Sequence, residues 1–233
     1  MLNFGLTVGL GLALALLWFL LPFSLRKWGE ARLDRRCRSE RAIVMSYDDG
    51  PGPGLTPPLL DLLAEYGVRA SFHVLGRNAE RAPALMRRLV AEGHDVGSHT
   101  QDHVNAWKSS PLRFARDLAA GVKTVDAFGG QGRHFRPPFG KMTLAGLVQG
   151  LALGLRYGWW TVDSRDSWDR RPIADVLAEL THRGGGVVLM HDFDTYTRAP
   201  SLPSHHDHVL ALTRSILDMA RRDGFRIIPL SAL

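Results

Sequence analysis

The stretch AIVMSYDDGPGPG, residues 42–54, joins a run of apolar and β-prone residues to two adjacent carboxylates and a turn. Ile, Val and Tyr favour a buried strand over residues 42–47. Gly50 and Pro51 are typical of the sharp turn that follows. Asp48 and Asp49 therefore stand where the strand ends. Because side chains alternate along a strand, we expect the two acids to point in different directions and to have different roles.

The rest of the chain alternates β-prone stretches with helical patterns. Strands are predicted at residues 42–47, 70–75, 95–98, 134–136, 157–162, 187–191 and 226–230, and helices at 57–66, 83–92, 111–128, 143–151, 172–183 and 208–223. Several of these helices begin with Pro, which is favoured in the first turn of a helix, and others are followed by Gly, which is favoured just after the last turn. About seven βα units in one domain predict an α/β fold, either a parallel barrel or a doubly wound sheet.

The first 25 residues carry no charged side chain. As a helix rising about 1.5 Å per residue they would span the roughly 30 Å of a bilayer core. A cleavable signal peptide is the alternative, but no basic residue precedes the apolar run and no A-x-A-like cleavage site follows it. We expect residues 1–25 to be one N-terminal transmembrane anchor, residues 26–41 a basic juxtamembrane linker, and residues 42–233 the main domain.

Residues 26–41 contain seven basic and three acidic side chains, and so hold most of the net charge of +6. The excess lies beside the apolar segment and not on the domain, which indicates a membrane surface and no nucleic-acid partner. The one apolar segment predicts a single-pass protein, typical of a bacterial inner membrane, and the positive-inside rule places its domain on the cytoplasmic side. An outward-facing domain is the alternative. The single Cys37 excludes an internal disulfide.

Polar residues follow most of the predicted strands. Beyond the two acids, they are His99 and His103, Arg136, Asp163 and Asp166, and His191. The carboxyl ends of parallel barrel strands converge on one face, where active sites are built. A set drawn from five of seven strands therefore predicts an active site.

His99 and His103 stand four residues apart, and on a helical turn this spacing puts both imidazoles on one face. With one carboxylate from the first strand they form a two-His, one-Asp set. Such a set leaves a coordination position open, as in catalytic Zn²⁺ sites. The donors would also accept Co²⁺, Ni²⁺ or Mn²⁺.

Five stretches carry a resemblance to a known family: SYDDGP at 46–51, HTQDH at 99–103, RPPFG at 136–140, DSRD at 163–166 and LMH at 189–191. In this order they resemble the motifs of the polysaccharide deacetylase family, the NodB homology domain, from about residue 42 to the C-terminus. The resemblance implies a distorted (β/α)7 TIM-like barrel. It also implies removal of acetyl groups, mostly N-acetyl, from an acetylated glycan.

The resemblance assigns roles to individual residues. It implies that Asp49, His99 and His103 bind the metal, that Asp48 is the general base, and that His191 is the general acid. Arg136 would pair with the base and Asp166 would orient His191. The remaining residues, Phe139, Trp168 and Leu189, would contact the substrate, with the backbone N–H of Phe139 at the oxyanion and Trp168 at the acetyl pocket.

The sequence departs from the family pattern in two places. Ser46 and Tyr47 replace the usual Thr and Phe, and Ser167 stands before Trp168, where the family often has Trp directly after the second Asp. This insertion puts the acetyl-pocket role of Trp168 in question.

Several alternatives stay open at this point. Asp163 could serve the site or cap its turn, and Trp159 and Trp160 could stack on sugar or lie in the core. The cluster SHHDH, 204–208, is interpreted as a helix start and not as a second metal site. Rival functions are a sugar O-acetyl esterase and a membrane-tethered glycan-binding pseudoenzyme. Substrate pools include peptidoglycan, envelope polysaccharide precursors and lipid-linked sugars.

Overall fold

The computed structural model describes residues 2–194 and 204–233, in which a parallel sheet forms the centre of the fold. Its eight strands are β1 (Ala42–Asp48), β2 (Ser71–Val74), β3 (Asp95–Ser98), β4 (His134–Phe135), β5 (Arg156–Tyr157), β6 (Val162–Asp163), β7 (Gly186–His191) and β8 (Arg226–Ile227). The strands are ordered β5-β4-β3-β2-β1-β7-β6, and β8 pairs with the start of β1. The predicted α/β class with parallel strands is confirmed.

Eight α-helices are described around this sheet. They are α1 (Leu2–Glu40), α2 (Thr56–Glu65), α3 (Gly76–Arg81), α4 (Pro83–Ala91), α5 (Pro111–Ala127), α6 (Leu144–Ala152), α7 (Ile173–Arg183) and α8 (His205–Asp223). Two 3₁₀ turns, Pro138–Gly140 and Leu230–Ala232, complete the described elements. Of the helices within the domain, only the short α3 has no counterpart among those predicted.

The sheet is a curled half-barrel of eight strands, whereas the distorted (β/α)7 TIM-like barrel implied by the resemblance has seven. Its described end strands, β5 and β6, pair with β4 and β7 but not with each other. The single strand predicted over residues 157–162 is two short strands. At the break, the carbonyls of Gly158 and Trp159 accept hydrogen bonds from the Arg136 guanidinium.

Alternation along β1 sorts its side chains between two layers. Ile43, Met45 and Tyr47 lie in the large core beneath the helices, whereas Val44 belongs to a smaller cluster with Cys37 of α1. Asp48 lies four residues after Val44, and side chains two or four residues apart on a strand share a face. The Asp48 side chain therefore lies with Val44 on the inner face of the half-barrel.

The N-terminal segment departs from the prediction. Residues 2–40 form one helix, α1, whose later turns carry charged side chains and pack against the domain through Leu33 and Cys37. None of the helices that the structure describes combines the length and the apolar character needed to cross a lipid bilayer. The prediction of a single-pass membrane protein is therefore wrong, and the domain placement drawn from it loses its basis.

Candidate active site

Asp48 and Asp49 leave the end of β1 in different directions, as their adjacent positions predict. Asp48 is the last residue of β1 and lies in register with His73 on β2 and His191 on β7. Asp49 has a φ of 70°, in the left-handed region that ends the strand. The side-chain amide of Asn78 donates a hydrogen bond of 2.7 Å to the Asp49 carbonyl and so fixes this turn.

Asp49, His99 and His103 form a cluster of three candidate metal ligands. One ligand atom from each lies within 4.8 Å of the others. Oδ1 of Asp49 is 3.5 Å from Nε2 of His99 and 3.3 Å from Nε2 of His103. Among residues 2–194 and 204–233 this is the one such cluster of three or more His, Cys, Asp or Glu side chains.

The two histidines meet by a route that differs from the prediction. Residues 99–103 form an irregular loop after β3 and not a helical turn. Thr100 and His103 have positive φ, 71° and 61°, and these left-handed residues turn the chain so that the rings lie 5.1 Å apart. A spacing of four is therefore compatible with shared ligation here, but through loop geometry.

The surroundings of the histidines suit metal ligation. Nδ1 of His99 lies 2.7 Å from the carbonyl oxygen of Arg136, a bond that makes Nδ1 the donor and leaves Nε2 as a lone-pair ligand facing Asp49. Burial lowers the pKa of His103 to about 4 against the opposing charge of Asp49. A neutral imidazole beside a carboxylate is the donor set that Zn²⁺ and related ions accept.

Asp48 is held by Arg136, the residue with which it was predicted to pair. Nη1 of Arg136 donates to Oδ1 of Asp48 at 2.8 Å, and both side chains are buried. Burial acts to raise the pKa of Asp48, but the Arg136 guanidinium and neighbouring histidines outweigh it and hold the pKa well below its ordinary value. The carboxylate therefore stays ionised. Nη1 of Arg136 also donates to the Ser46 hydroxyl at 3.0 Å.

His73 is a member of the site to which the sequence assigned no role. Its Nδ1 atom is 3.4 Å from Oδ1 of Asp48, and only 2% of its side chain is exposed. Burial and the Arg136 charge lower the pKa of His73 to about 4, so it is a neutral neighbour of Asp48. Its position near the end of β2, the strand beside β1, was the feature of the sequence that could have indicated membership of the site.

His191 and Asp166 form a second pair across the site. Nδ1 of His191 lies 2.8 Å from Oδ1 of Asp166, and the His191 backbone N–H donates to the other oxygen at 2.8 Å. Burial opposes protonation of His191, but the carboxylate of Asp166 outweighs it and raises the pKa to about 10. The Ser164 hydroxyl holds Asp166 at 3.1 Å. This imidazolium can donate a proton at neutral pH.

The three predicted substrate residues differ in their surroundings. Phe139 is 53% exposed, has a φ of 59°, and its ring centroid lies 4.6 Å from that of His103. Trp168 is 56% exposed and contacts Arg165 at 5.2 Å. Leu189 is buried in β7, and its carbonyl accepts from Ser164. The structure thus places Phe139 against a candidate ligand and leaves Trp168 in solvent beside Arg165.

The structure also shows the surroundings of three residues whose roles the sequence left open. Oδ1 of Asp163 accepts from the Arg165 backbone at 2.9 Å, a turn cap. Trp159 is 7% exposed and stacks on Tyr157 in the interior. The Ser204 hydroxyl accepts from the Asp207 backbone and caps α8.

Asp192 is a second neighbour of the site that the sequence analysis missed. It is fully buried, and its Oδ2 atom accepts from the Thr56 hydroxyl at 2.7 Å. The same hydroxyl accepts from the Gly52 backbone at 2.8 Å, so the pair supports the turn after the two acids. Burial raises the pKa of Asp192 to about 7.

Comparison with known proteins agrees with this geometry. The family model described as polysaccharide deacetylase matches residues 35–158, more than half of the chain. The chitooligosaccharide deacetylase of Bradyrhizobium sp. (strain ANU 289) is 33% identical over 201 residues, which cover 83% of this chain and 90% of the relative. The peptidoglycan-N-acetylglucosamine deacetylase of Bacillus cereus is 29% identical over 199 residues, or 84% and 89% of the two chains.

A solved structure gives the same result for the fold. The family 4 carbohydrate esterase of Streptomyces lividans, in complex with acetate, has a TM-score of 0.67 and 25% identity, and the match covers 81% of this chain and 91% of that one. The chain thus belongs to the polysaccharide deacetylase family, and it is an enzyme of that class.

Proposed function

We propose that this chain is a metal-dependent N-deacetylase, which hydrolyses the acetamide group of an amino sugar in a polysaccharide or its oligomers. The position of Asp48 carries the proposal. Its carboxylate lies 2.8 Å from the Arg136 guanidinium and 3.9 Å from Nε2 of His99. A base that stays ionised therefore lies directly beside the three candidate metal ligands.

Asp49, His99 and His103 would hold the metal ion. Their oxygen and nitrogen donors favour Zn²⁺, and Co²⁺, Ni²⁺ or Mn²⁺ fit the same set. When bound, such an ion supplies Lewis acidity toward a carbonyl oxygen and lowers the pKa of water. The low pKa of His103, about 4, keeps this imidazole neutral and ready to coordinate at physiological pH.

The protein residues divide the proton transfers. Asp48 accepts a proton from water as the water oxygen bonds to the acetyl carbonyl carbon. The backbone N–H of Phe139 donates a hydrogen bond to the carbonyl oxygen as negative charge develops there. His191 then gives its proton to the nitrogen as the C–N bond breaks, which releases acetate and a free amine. Arg136 and Asp166 act through these two groups, as positioning residues.

The relatives indicate the class of sugar. The matched proteins are named for chitooligosaccharide and for peptidoglycan N-acetylglucosamine. We infer that N-acetylglucosamine units of such a glycan are the substrate. Ester hydrolysis needs the same base, but its alkoxide leaving group is a far weaker base than the amide anion that would leave if the C–N bond broke without protonation of the nitrogen. A general acid with a pKa of about 10 therefore favours the amide reaction.

Acetate release tests this function. The protein is stripped of metal, reloaded with Zn²⁺, and incubated with chitopentaose, peptidoglycan and O-acetylated xylan, with the D48N variant as control. We expect acetate from an N-acetylated substrate only with the metal-loaded wild type. Release from xylan alone would identify an O-acetyl esterase, and release from none of the three would favour a glycan-binding protein. Equal release by verified metal-free protein would contradict the metal requirement.

A further inference from the structure

A cavity of about 730 Å³ lies between α1, α6 and the edge strand β5, apart from the active site. None of the ten predicted site residues lines it. Its lining residues are Pro22, Leu25, Arg26, Trp28, Gly29, Arg32, Leu33, Arg36, His134, Met142, Leu147, Leu151, Leu155, Arg156, Tyr157, Trp159, Leu230, Ser231 and Leu233. The volume falls in the range of about 300–1,000 Å³ that holds small organic ligands.

The walls of this cavity are largely apolar. Leu25 and Leu33 of α1 face Leu147 and Leu151 of α6, and the ring of Trp159 contributes to the wall. Leu151 is 70% exposed and Trp28 at the other side is 59% exposed. Burial of such apolar surface by a ligand would be favourable by about 25 cal/mol for each Å² removed from water.

The charged side chains that line the cavity all have the same sign. Its four arginines have no Asp or Glu side chain beside them in the lining. Arg26 and Arg36 are paired with Glu30 and Glu40 of α1, at 2.6 and 3.4 Å. Arg32 and Arg156 are different, because no carboxylate in the described part of the chain forms an ion pair with either. Two arginines with no ion-pair partner among the described residues therefore border an apolar cavity.

We propose that this cavity binds a single-chain amphipathic anion, an alkyl or acyl chain that ends in a carboxylate or phosphate. The chain would lie against the leucines and Trp159. The head group would pair with the guanidinium groups of Arg32 and Arg156, to which carboxylate and phosphate oxygens are matched. A neutral hydrocarbon would leave the cations unused, and a small inorganic anion would leave the apolar walls in water.

Arg26 is set apart from this role by its other contacts. Its Nη1 atom donates to the Gly140 carbonyl at 2.7 Å, and its guanidinium lies 4.6 Å from the Trp160 ring centroid. It thus holds the loop that carries Phe139. Variants of Arg26 would disturb the active site, so the test uses Arg32 and Arg156, which are exposed and contact no candidate catalytic or metal-binding residue.

The test is isothermal titration of the full-length protein with dodecyl phosphate below its micelle concentration. We expect saturable binding near one equivalent to the wild type. The R32E/R156E double variant should bind roughly tenfold or more weakly, because two charge-assisted contacts become repulsive. R35E/R87E changes the same net charge at exposed arginines outside the cavity, and should bind within about twofold of the wild type.

Two further ligands separate the contribution of the apolar chain to binding from that of the anionic head group. Inorganic phosphate and dodecyltrimethylammonium should each bind at least about tenfold more weakly than dodecyl phosphate. The proposal is overturned by the absence of dodecyl phosphate binding, by equal binding of the dodecyl cation, or by equal weakening in R32E/R156E and R35E/R87E. If the circular dichroism spectrum of R32E/R156E shows that it is not folded, R156Q takes its place, and its binding of dodecyl phosphate is compared with that of the wild type and of R35E/R87E in the same way.

Discussion

Nδ1 of His191 and Oδ1 of Asp166 lie 2.8 Å apart, and the same carboxylate also accepts from the His191 backbone. Two contacts from one buried acid fix both the position of the imidazole and its protonation. Burial disfavours the imidazolium, so its raised pKa depends on the negative charge of Asp166. The role proposed for His191 therefore depends on a neighbour that need not touch the substrate.

The D166N variant tests this dependence. Without the carboxylate charge, the pKa of His191 should fall, because burial is then opposed only by the more distant acids. We expect the alkaline limb of the kcat profile to move to lower pH, and kcat at pH 8 to fall by about 10²-fold. Steady-state kinetics between pH 5 and 10 measure both effects. A uniformly lower kcat with an unmoved limb would indicate a structural role only.

The same pair predicts how stability depends on pH in the metal-free protein. The folded pKa of His191, about 10, lies above its ordinary value of 6.5. Its contribution to the free energy of unfolding is therefore complete below about pH 6.5 and is lost as pH rises toward about 10. Urea unfolding with a chelator at pH 6, 8 and 10 should show a decline in the wild type that is smaller in H191Q. Parallel curves would contradict the assignment.

Neutralising Asp48 and neutralising Asp49 should have different effects on the protein. Asp49 lies between the two histidines at 3.5 and 3.3 Å, whereas Asp48 is held by Arg136 at 2.8 Å. D49N should weaken Zn²⁺ binding by about 10-fold or more. D48N should keep the metal and lower kcat by about 10²–10⁴-fold. Titration with Zn²⁺ against a competing chelator, and acetate release, measure the two effects. Equal metal loss in both variants would contradict this division.

Local patterns were sufficient to predict much of this fold and site. The apolar run before Asp48 forms β1, and its alternation places Asp48 on the inner face and turns Asp49 away from it. Most helices begin or end close to the predicted residues, because Pro and Gly mark these ends directly in the sequence. The polar residues after the strands do converge, since parallel strands bring their carboxyl ends to one edge.

What could not be predicted depends on contacts between distant parts of the chain. The position of His73 beside Asp48 follows from the register of the two neighbouring strands that carry them. The strand predicted at 157–162 breaks where its carbonyls accept hydrogen bonds from Arg136, 22 residues or more away. The absence of charged side chains from residues 1–25 led to the prediction of a membrane span. It did not indicate that the helix continues to Glu40 and packs its later turns on the domain.

Arg136 should be coupled energetically to Asp48. Both side chains are buried, and removal of one leaves a buried charge without its partner. R136Q should lower the free energy of unfolding by about 3–5 kcal/mol. In a D48N background the same change should cost at least about 1 kcal/mol less, because the opposing charge is already absent. Urea unfolding of the four proteins measures this coupling. Additive costs would show that the pair contributes nothing beyond its separate contacts.

Position 50 should require glycine because Asp192 leaves no room for a side chain there, and not because the backbone needs a conformation that only glycine adopts. A Cβ atom at position 50 would clash with both carboxylate oxygens of Asp192, which is fully buried behind the turn. G50A should therefore destabilise the protein by about 1–3 kcal/mol through overpacking and weaken Zn²⁺ binding at the adjacent Asp49. Replacing Asp192 by Ala removes the clashing atoms, so G50A/D192A should bind Zn²⁺ more tightly than G50A. As a matched control, G11A lies in α1 where a Cβ would meet open space without a positive φ, and it should leave Zn²⁺ binding unchanged. If D192A fails to restore any metal binding in the G50A background, the turn is held by contacts other than this one.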